Sequence, residues 1–311
     1  MSFLDVRNVS KKYDDFVALN NVSIEVPRKS IFGLLGPNGA GKTSLIRIIN
    51  QITAPDQGEV KLNRKKLSAT STSDIGYLPE ERGLYKKMKV GEQALYLCML
   101  KGMDKHEAIV ELRKWFNKLD LMDWWNKRVE DLSKGMAQKL QFIITVVHKP
   151  KLLILDEPFS GFDPINTKLI KEEIIKLSNR GTTVIFSTHN MESVEEICDR
   201  IALINKGETI LEGSVREIKK SYTANKIRIQ FKGNMIAFTN AMWTGCELIR
   251  SSSEGNINSV ELKLLGDVST KVLLQAVMPH IELISLNEMI PSMNDIFIDA
   301  VNQFKEKSTD A

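Results

Sequence analysis

Eight consecutive residues, Gly36-Pro37-Asn38-Gly39-Ala40-Gly41-Lys42-Thr43, carry the spacing G-x-x-x-x-G-K-[ST], and Ser44 follows. These types in this order suit one task, wrapping main-chain N–H groups around a phosphate. Glycines let the backbone approach the anion, and a helix N-terminus behind them adds partial positive charge. Lys42 is expected to reach the β- and γ-phosphates of a nucleotide, and the Thr43 hydroxyl to ligate Mg²⁺. A second group, Leu152-Leu153-Ile154-Leu155-Asp156-Glu157, puts two acids at the end of an apolar run. There Asp156 is placed to hold Mg²⁺ through water, and Glu157 to orient or deprotonate an attacking water. His189 ends the run TTVIFSTH and is expected to face the same crevice and touch the γ-phosphate.

The surrounding elements must position these groups. FLDVRNV, VALNNVSIEV and SIFGLLG read as strands, and TSLIRIINQI, with apolar Leu45, Ile46, Ile48 and Ile49, as the helix after the glycine loop. Residues about 86–150 change to helical spacing and form an insert. KLLILDEP and TTVIFSTH are continuous apolar runs, as expected for parallel strands covered on both faces. A helix from Thr167 to Leu177 joins them, and IALINKGETILEG reads as a hairpin turning at Lys206-Gly207. Beyond Val215 the order strand, helix, strand, strand, helix, strand, helix predicts a small α+β domain of the split βαβ kind. The expected fold is an α/β P-loop NTPase core with a mixed sheet over 1–215, an α+β accessory domain over 216–302 and a tail over 303–311.

Bulk properties narrow the class. With 311 residues, 42% hydrophobic and 26% charged, the chain can bury a sizeable core, and its net charge of +4 is scattered. Nucleic acid is therefore not an expected partner. The three cysteines, Cys98, Cys198 and Cys246, stand far apart without a C-x-x-C pair, which fits a reducing compartment. No apolar run is long enough to span a bilayer. A soluble, cytoplasmic protein is expected.

About 20 residues ahead of LILDEP stands Leu132-Ser133-Lys134-Gly135-Met136, followed by the helical AQKLQFIITVVHKP. With the phosphate loop and the paired acids, this resembles the signature of ABC transporter nucleotide-binding subunits over residues 1 to about 215. The resemblance implies that Ser133 and Gly135 grip the γ-phosphate held by an opposite subunit. It further implies that Ser160-Gly161-Phe162-Asp163 crosses the dimer interface, with Asp163 at the shared site, and that Tyr13 stacks on adenine. Two departures stand out. Glu80 takes the place of a usual Gln that touches Mg²⁺ and senses the membrane subunit, and the signature has Lys134 for Gly and Met136 for Gln.

GYLPEERGLYKKMKVGEQ and PSMNDIFIDAV look more like the sodium-exporting (NatA-like) and antibiotic-exporting members. The resemblance implies ATP and Mg²⁺ as cofactors, ATP hydrolysis powering export, and a second nucleotide-binding subunit, identical or a close paralogue. It also implies a separate transmembrane permease that holds the chain peripherally on the inner face of the cell membrane. Two alternatives stay open: a non-transport ABC ATPase acting on ribosomes or DNA, and a regulatory ATP-binding module with little turnover.

Overall fold

The computed structural model describes residues 2–81, 83–223, 226–242, 245–265 and 269–309. Two compact units share the chain: Met1–Val215 with Phe297–Ala311, and Arg216–Ile296.

The first unit opens with the hairpin β1 (Ser2–Tyr13) and β2 (Phe16–Pro27), then β3 (Ile31–Leu35), α1 (Lys42–Ile49), β4 (Gln57–Leu62), β5 (Lys65–Lys66) and β6 (Ile75–Leu78). The helical insert follows as α2 (Val90–Leu100), α3 (Lys105–Lys118) and α4 (Lys134–Val146). The chain returns through β7 (Leu152–Asp156), α5 (Pro164–Asn179), β8 (Thr183–Ser187), α6 (Met191–Ile197), β9 (Arg200–Asn205) and β10 (Glu208–Ser214). β2-β1-β4-β5 make an antiparallel sheet, and β10-β9-β3-β8-β7-β6 a mixed one in which only the edge strand β10 runs antiparallel.

Every residue of β3, β7 and β8 is buried, which explains their unbroken apolar runs: layers cover both faces. Since β8 lies between β3 and β7, the loops leaving these three strands emerge side by side at the carboxyl edge, where parallel sheets present ligand-binding residues. The insert is tied to the core by Glu173 of α5. Its carboxylate, 2% exposed, accepts from Lys176 Nζ at 2.9 Å and also pairs with Lys118 at the end of α3. A buried carboxylate is retained only with such partners.

The remaining elements are α7 (Val215–Thr223), β11 (Lys226–Gly233), α8 (Met235–Ala241), β12 (Cys246–Glu254), β13 (Ile257–Leu264), α9 (Thr270–Val277), β14 (Ile281–Glu288) and α10 (Met293–Thr309). The four strands form an antiparallel sheet of order β12-β13-β11-β14, the split βαβ arrangement expected above. α10 carries residues 303–309, which composition alone marks as a tail; residues 310 and 311 lie outside the described residues, as does Val268 of the expected helix VSTKVLLQAVM. Alternation on β11 buries Ile227, Ile229 and Phe231, and leaves Arg228 on the other face paired with Glu261 at 2.6 Å. Phe231 stacks on Phe238 of α8 at 4.4 Å between centroids, both fully buried. Among the described residues, no helix is long and apolar enough to cross a membrane.

Removing a stacked aromatic from so small a core is costly. Phe231→Ala is expected to destabilise the Arg216–Ile296 unit by about 3–5 kcal/mol. Urea titration followed by circular dichroism checks this; an unchanged transition would contradict the packing.

Candidate functional site

The loop between β3 and α1 holds its shape because two positions carry no side chain. Gly36 (φ 150°) and Gly41 (φ 111°) lie where a Cβ would fall 2.2 Å from the Ile204 carbonyl and 2.4 Å from that of Ala18. The hairpin turn at Lys206-Gly207 closes on the loop from outside: Gly207 N donates to Ala40 O at 2.9 Å, and Asn20 N donates to Gly207 O at 2.8 Å. β2, β9 and the loop thus interlock. Gly41 caps α1 without any side-chain hydrogen bond, so the first-turn N–H groups stay open to the cleft. Lys42 Nζ folds over the loop and donates to Gly36 O at 2.7 Å and Pro37 O at 3.0 Å.

A cleft of about 420 Å³ lies over this loop, lined by Asn38 to Ser44, and by Glu80, Asp156, Glu157 and His189. Asp156 ends β7 and is 4% exposed. Burial is the main cause pushing its carboxyl above the usual range, with Glu80 and Glu157 adding to it and Lys42 opposing. Burial likewise lowers Lys42, while Glu157, Asp156 and Glu80 support its charge. Glu157 sits at φ 47°, a left-handed conformation that costs a non-glycine residue about 1–2 kcal/mol. Its carboxylate is held by three donors: Thr188 Oγ1 at 3.2 Å on Oε2, and His189 N at 2.9 Å on Oε1, where His189 Nδ1 also lies at 2.8 Å. The strained turn therefore aims the acid at the loop and locks it against the end of β8.

Among the described residues, no three His, Cys, Asp or Glu side chains are grouped closely enough to hold a metal ion alone. The Thr43 hydroxyl and the Asp156 and Glu80 carboxylates nonetheless line one cleft, an oxygen-only donor set that fits Mg²⁺ completed by phosphate oxygens.

The cleft so gathers the phosphate loop, Glu80, both acids and His189. Gly36 and Pro37 do not line it; their carbonyls accept from Lys42 Nζ. Tyr13, at the end of β1, does not line it; its ring lies 5.5 Å from Lys11 Nζ. Phe16, across the hairpin turn, does line it and is 60% exposed. Ser133 caps α4, accepting from Met136 N at 3.3 Å, and Asp163 caps α5, accepting from Asn166 N at 2.9 Å. Both stand outside the cleft. The signature and the Ser160–Asp163 loop are neighbours: Gln138 Nε2 of α4 donates to Pro158 O at 3.3 Å, and a Cβ on Gly135 would meet Gly161 O at 3.8 Å. Sequence reasoning missed Phe16, Ala18, Thr188 and the Gly207 clamp, which spatial pairing alone brings to the site.

Residues 19–160 match the family model described as ABC transporter, and residues 213–301 the one described as ATP-binding protein DrrA1-3-like, C-terminal domain. The uncharacterized ABC transporter ATP-binding protein YhaQ of Bacillus subtilis is 40% identical, covering 97% of this chain and 100% of its own length. This chain belongs to the ABC transporter family, as an ATP-binding subunit. Similar too are the linearmycin resistance ATP-binding protein LnrL (31% identical, 95% of this chain and 97% of that one) and NatA (31%, 70% and 91%), both of Bacillus subtilis. A solved structure of the ATP-binding subunit of an ABC transporter superposes with a TM-score of 0.67 at 26% identity, covering 71% of this chain and 93% of that one. ABC ATP-binding subunits are ATPases that power transport, and that role, not action on ribosomes or DNA, is the one these relatives share.

In this ABC subunit Asp156 is a carboxylate carried at a cost to the fold. An acid whose pKa is raised by folding makes the fold less stable as pH rises above its ordinary value of 3.8. Asp156→Asn keeps the shape and removes the charge. Without nucleotide or divalent cation it is expected to stabilise the protein by roughly 0.5–2 kcal/mol at pH 7. The gain should shrink as pH falls toward that value. Thermal melts across pH check this; a lower Tm for the variant would contradict it.

Proposed function

We propose that two copies of this chain, or this chain and a close paralogue, close on ATP and hydrolyse it, driving export through a separate transmembrane permease. The carrying observation is the placement of Glu157, locked by Thr188 and His189, over the same cleft as the phosphate loop. ATP enters with its phosphates over the 36–44 loop, against the open N–H groups at the start of α1, and its charge met by Lys42. Adenine rests on the aromatic side of the cleft, where Phe16 is better placed than Tyr13. Thr43, Asp156 and Glu80 would hold Mg²⁺, which supplies charge neutralisation at the β- and γ-phosphates.

Glu157 accepts the proton of a water that attacks the γ-phosphorus, and the bond to ADP breaks. Oε1 takes both the His189 backbone N–H and its ring, whereas Oε2 takes only the Thr188 hydroxyl and keeps a lone pair for that proton. A single ring proton serves only one partner, so for His189 to bridge Glu157 and the γ-phosphate it must be the imidazolium.

Gly135 supports the role of a second copy. A Cβ there would meet nothing closer than ordinary contact, so nothing among the described residues requires glycine at the start of α4. A requirement imposed from outside, by a phosphate approaching the helix N-terminus between Ser133 and Gly135, accounts for it. Asp163 would face the same junction. Export, of an ion, a drug or a lipid-like molecule from the cytoplasmic face, rests on relatives such as the linearmycin resistance protein and the Nod factor export ATP-binding protein I of Rhizobium etli, 35% identical over 70% of this chain.

Glu157→Gln keeps the hydrogen-bonding shape but cannot take the proton. Turnover should fall at least about 100-fold, and the variant should accumulate as a dimer with MgATP. Light scattering with a phosphate-release assay checks both. A variant that stays monomeric with MgATP would sink the two-copy reading.

A further inference from the structure

The cleft is lopsided in charge. Asp156, Glu157 and Glu80 all line it, while Lys42 is the one lysine or arginine among the described residues that line it. The α1 N-terminus adds only about half a positive charge, spread over open N–H groups. Glu80 is the carboxylate least needed by the fold. It follows β6, whose Leu78 pairs with Leu155 one residue short of Asp156, so it reaches the cleft from the strand beside the buried acid. Unlike Asp156 it is exposed, and among the described residues no hydrogen bond fixes it. Its charge is nevertheless felt at the site: it contributes to raising Asp156 and to supporting the Lys42 ammonium. A carboxamide of the same shape would line the cleft equally well without that charge.

Taking the cleft as the nucleotide site proposed above, we infer that Glu80 makes nucleotide binding depend on a divalent cation, repelling the metal-free triphosphate and admitting its magnesium complex. Free ATP brings its full negative charge against three carboxylates. The magnesium complex brings two fewer negative charges and a cation that the Glu80 and Asp156 oxygens attract. One residue thus acts with opposite sign on the two forms. In a partly solvated cleft a single charge several ångströms away is worth about a factor of ten in affinity, and salt shortens its reach to about 10 Å at 0.1 M.

The test is equilibrium binding of a fluorescent ATP analogue to the full chain, with Mg²⁺ or with EDTA, at low and high salt. The ratio of the metal-free to the magnesium dissociation constant is the readout, so hydrolysis does not enter. Wild type should show a large ratio, and Glu80→Gln should lower it about tenfold, chiefly by tightening metal-free binding. Glu80→Asp, which keeps the charge, should preserve it. The gap between wild type and Glu80→Gln should narrow in high salt. A ratio unchanged in Glu80→Gln, or lost equally in Glu80→Asp, would overturn the charge argument while leaving the nucleotide site standing. Failure of wild type to bind the analogue in either condition would overturn the nucleotide site, and this inference with it.

Discussion

Everything at the site depends on main chain packed against main chain. The 36–44 loop keeps its path only because Gly36 and Gly41 let the carbonyls of Ile204 and Ala18 come within van der Waals contact. No side chain, however flexible, could share that space, since the obstacle on each side is backbone. The two carbonyls belong to different sheets: Ala18 to β2 and Ile204 to β9. The loop is therefore the point where the antiparallel and the mixed sheet are fastened together. Gly207 completes the fastening by bonding to both the loop and β2. Preorganisation of this kind means that binding an anion need not order the loop first, and the entropy of ordering was already lost on folding.

The same edge carries an opposing demand. Asp156 is almost fully buried, and burial disfavours its charged form. Four apolar neighbours on its own strand, Leu152 to Leu155, are each fully buried and contribute on the order of 2 kcal/mol apiece. That is enough to hold one uncomfortable carboxylate at the strand end. Glu157 adds backbone strain at the next residue. Thr188 and His189 supply the donors that keep the strained turn populated, so the geometry is over-determined by β8 rather than by the turn itself. Structure and function pull apart here, and the apolar strands absorb the difference.

What the sequence made legible follows from this division. The phosphate cradle needs contiguous residues, so its motif is readable, as are Asp156 and Glu157 at the end of one apolar run. The long helices and the split βαβ order are readable for the same local reason. β4, β5 and β6 escaped because their runs are short, and QGEVKL of β4 is only partly buried. α6 has seven residues, too few to display a helical period, and α7 follows β10 with no break in composition. Phe16, Thr188 and Gly207 were not legible as site residues at all. Each acquires its place from a partner on another strand, and nothing in its own neighbourhood signals that pairing. Tyr13 illustrates the converse: it is paired directly with Phe16 across the hairpin turn, yet Phe16 lines the cleft and Tyr13 does not.

The glycines separate into two physical kinds, and the difference bears on what the protein must accommodate. Gly36, Gly41 and Gly207 are required by the chain's own backbone, which comes within 3 Å of the missing Cβ. Gly39 and Gly135 are not: one would meet nothing within 4 Å, the other only ordinary contact. Gly39 has a positive φ that explains it in part, but Gly135 has no such excuse. An unneeded glycine at a helix start costs about 1 kcal/mol relative to alanine, with no return inside the monomer. Space kept clear at that cost is space for something else. Because Gln138 ties α4 to the segment leading to Asp163, whatever fills it would be felt at once along the loop that begins at Glu157.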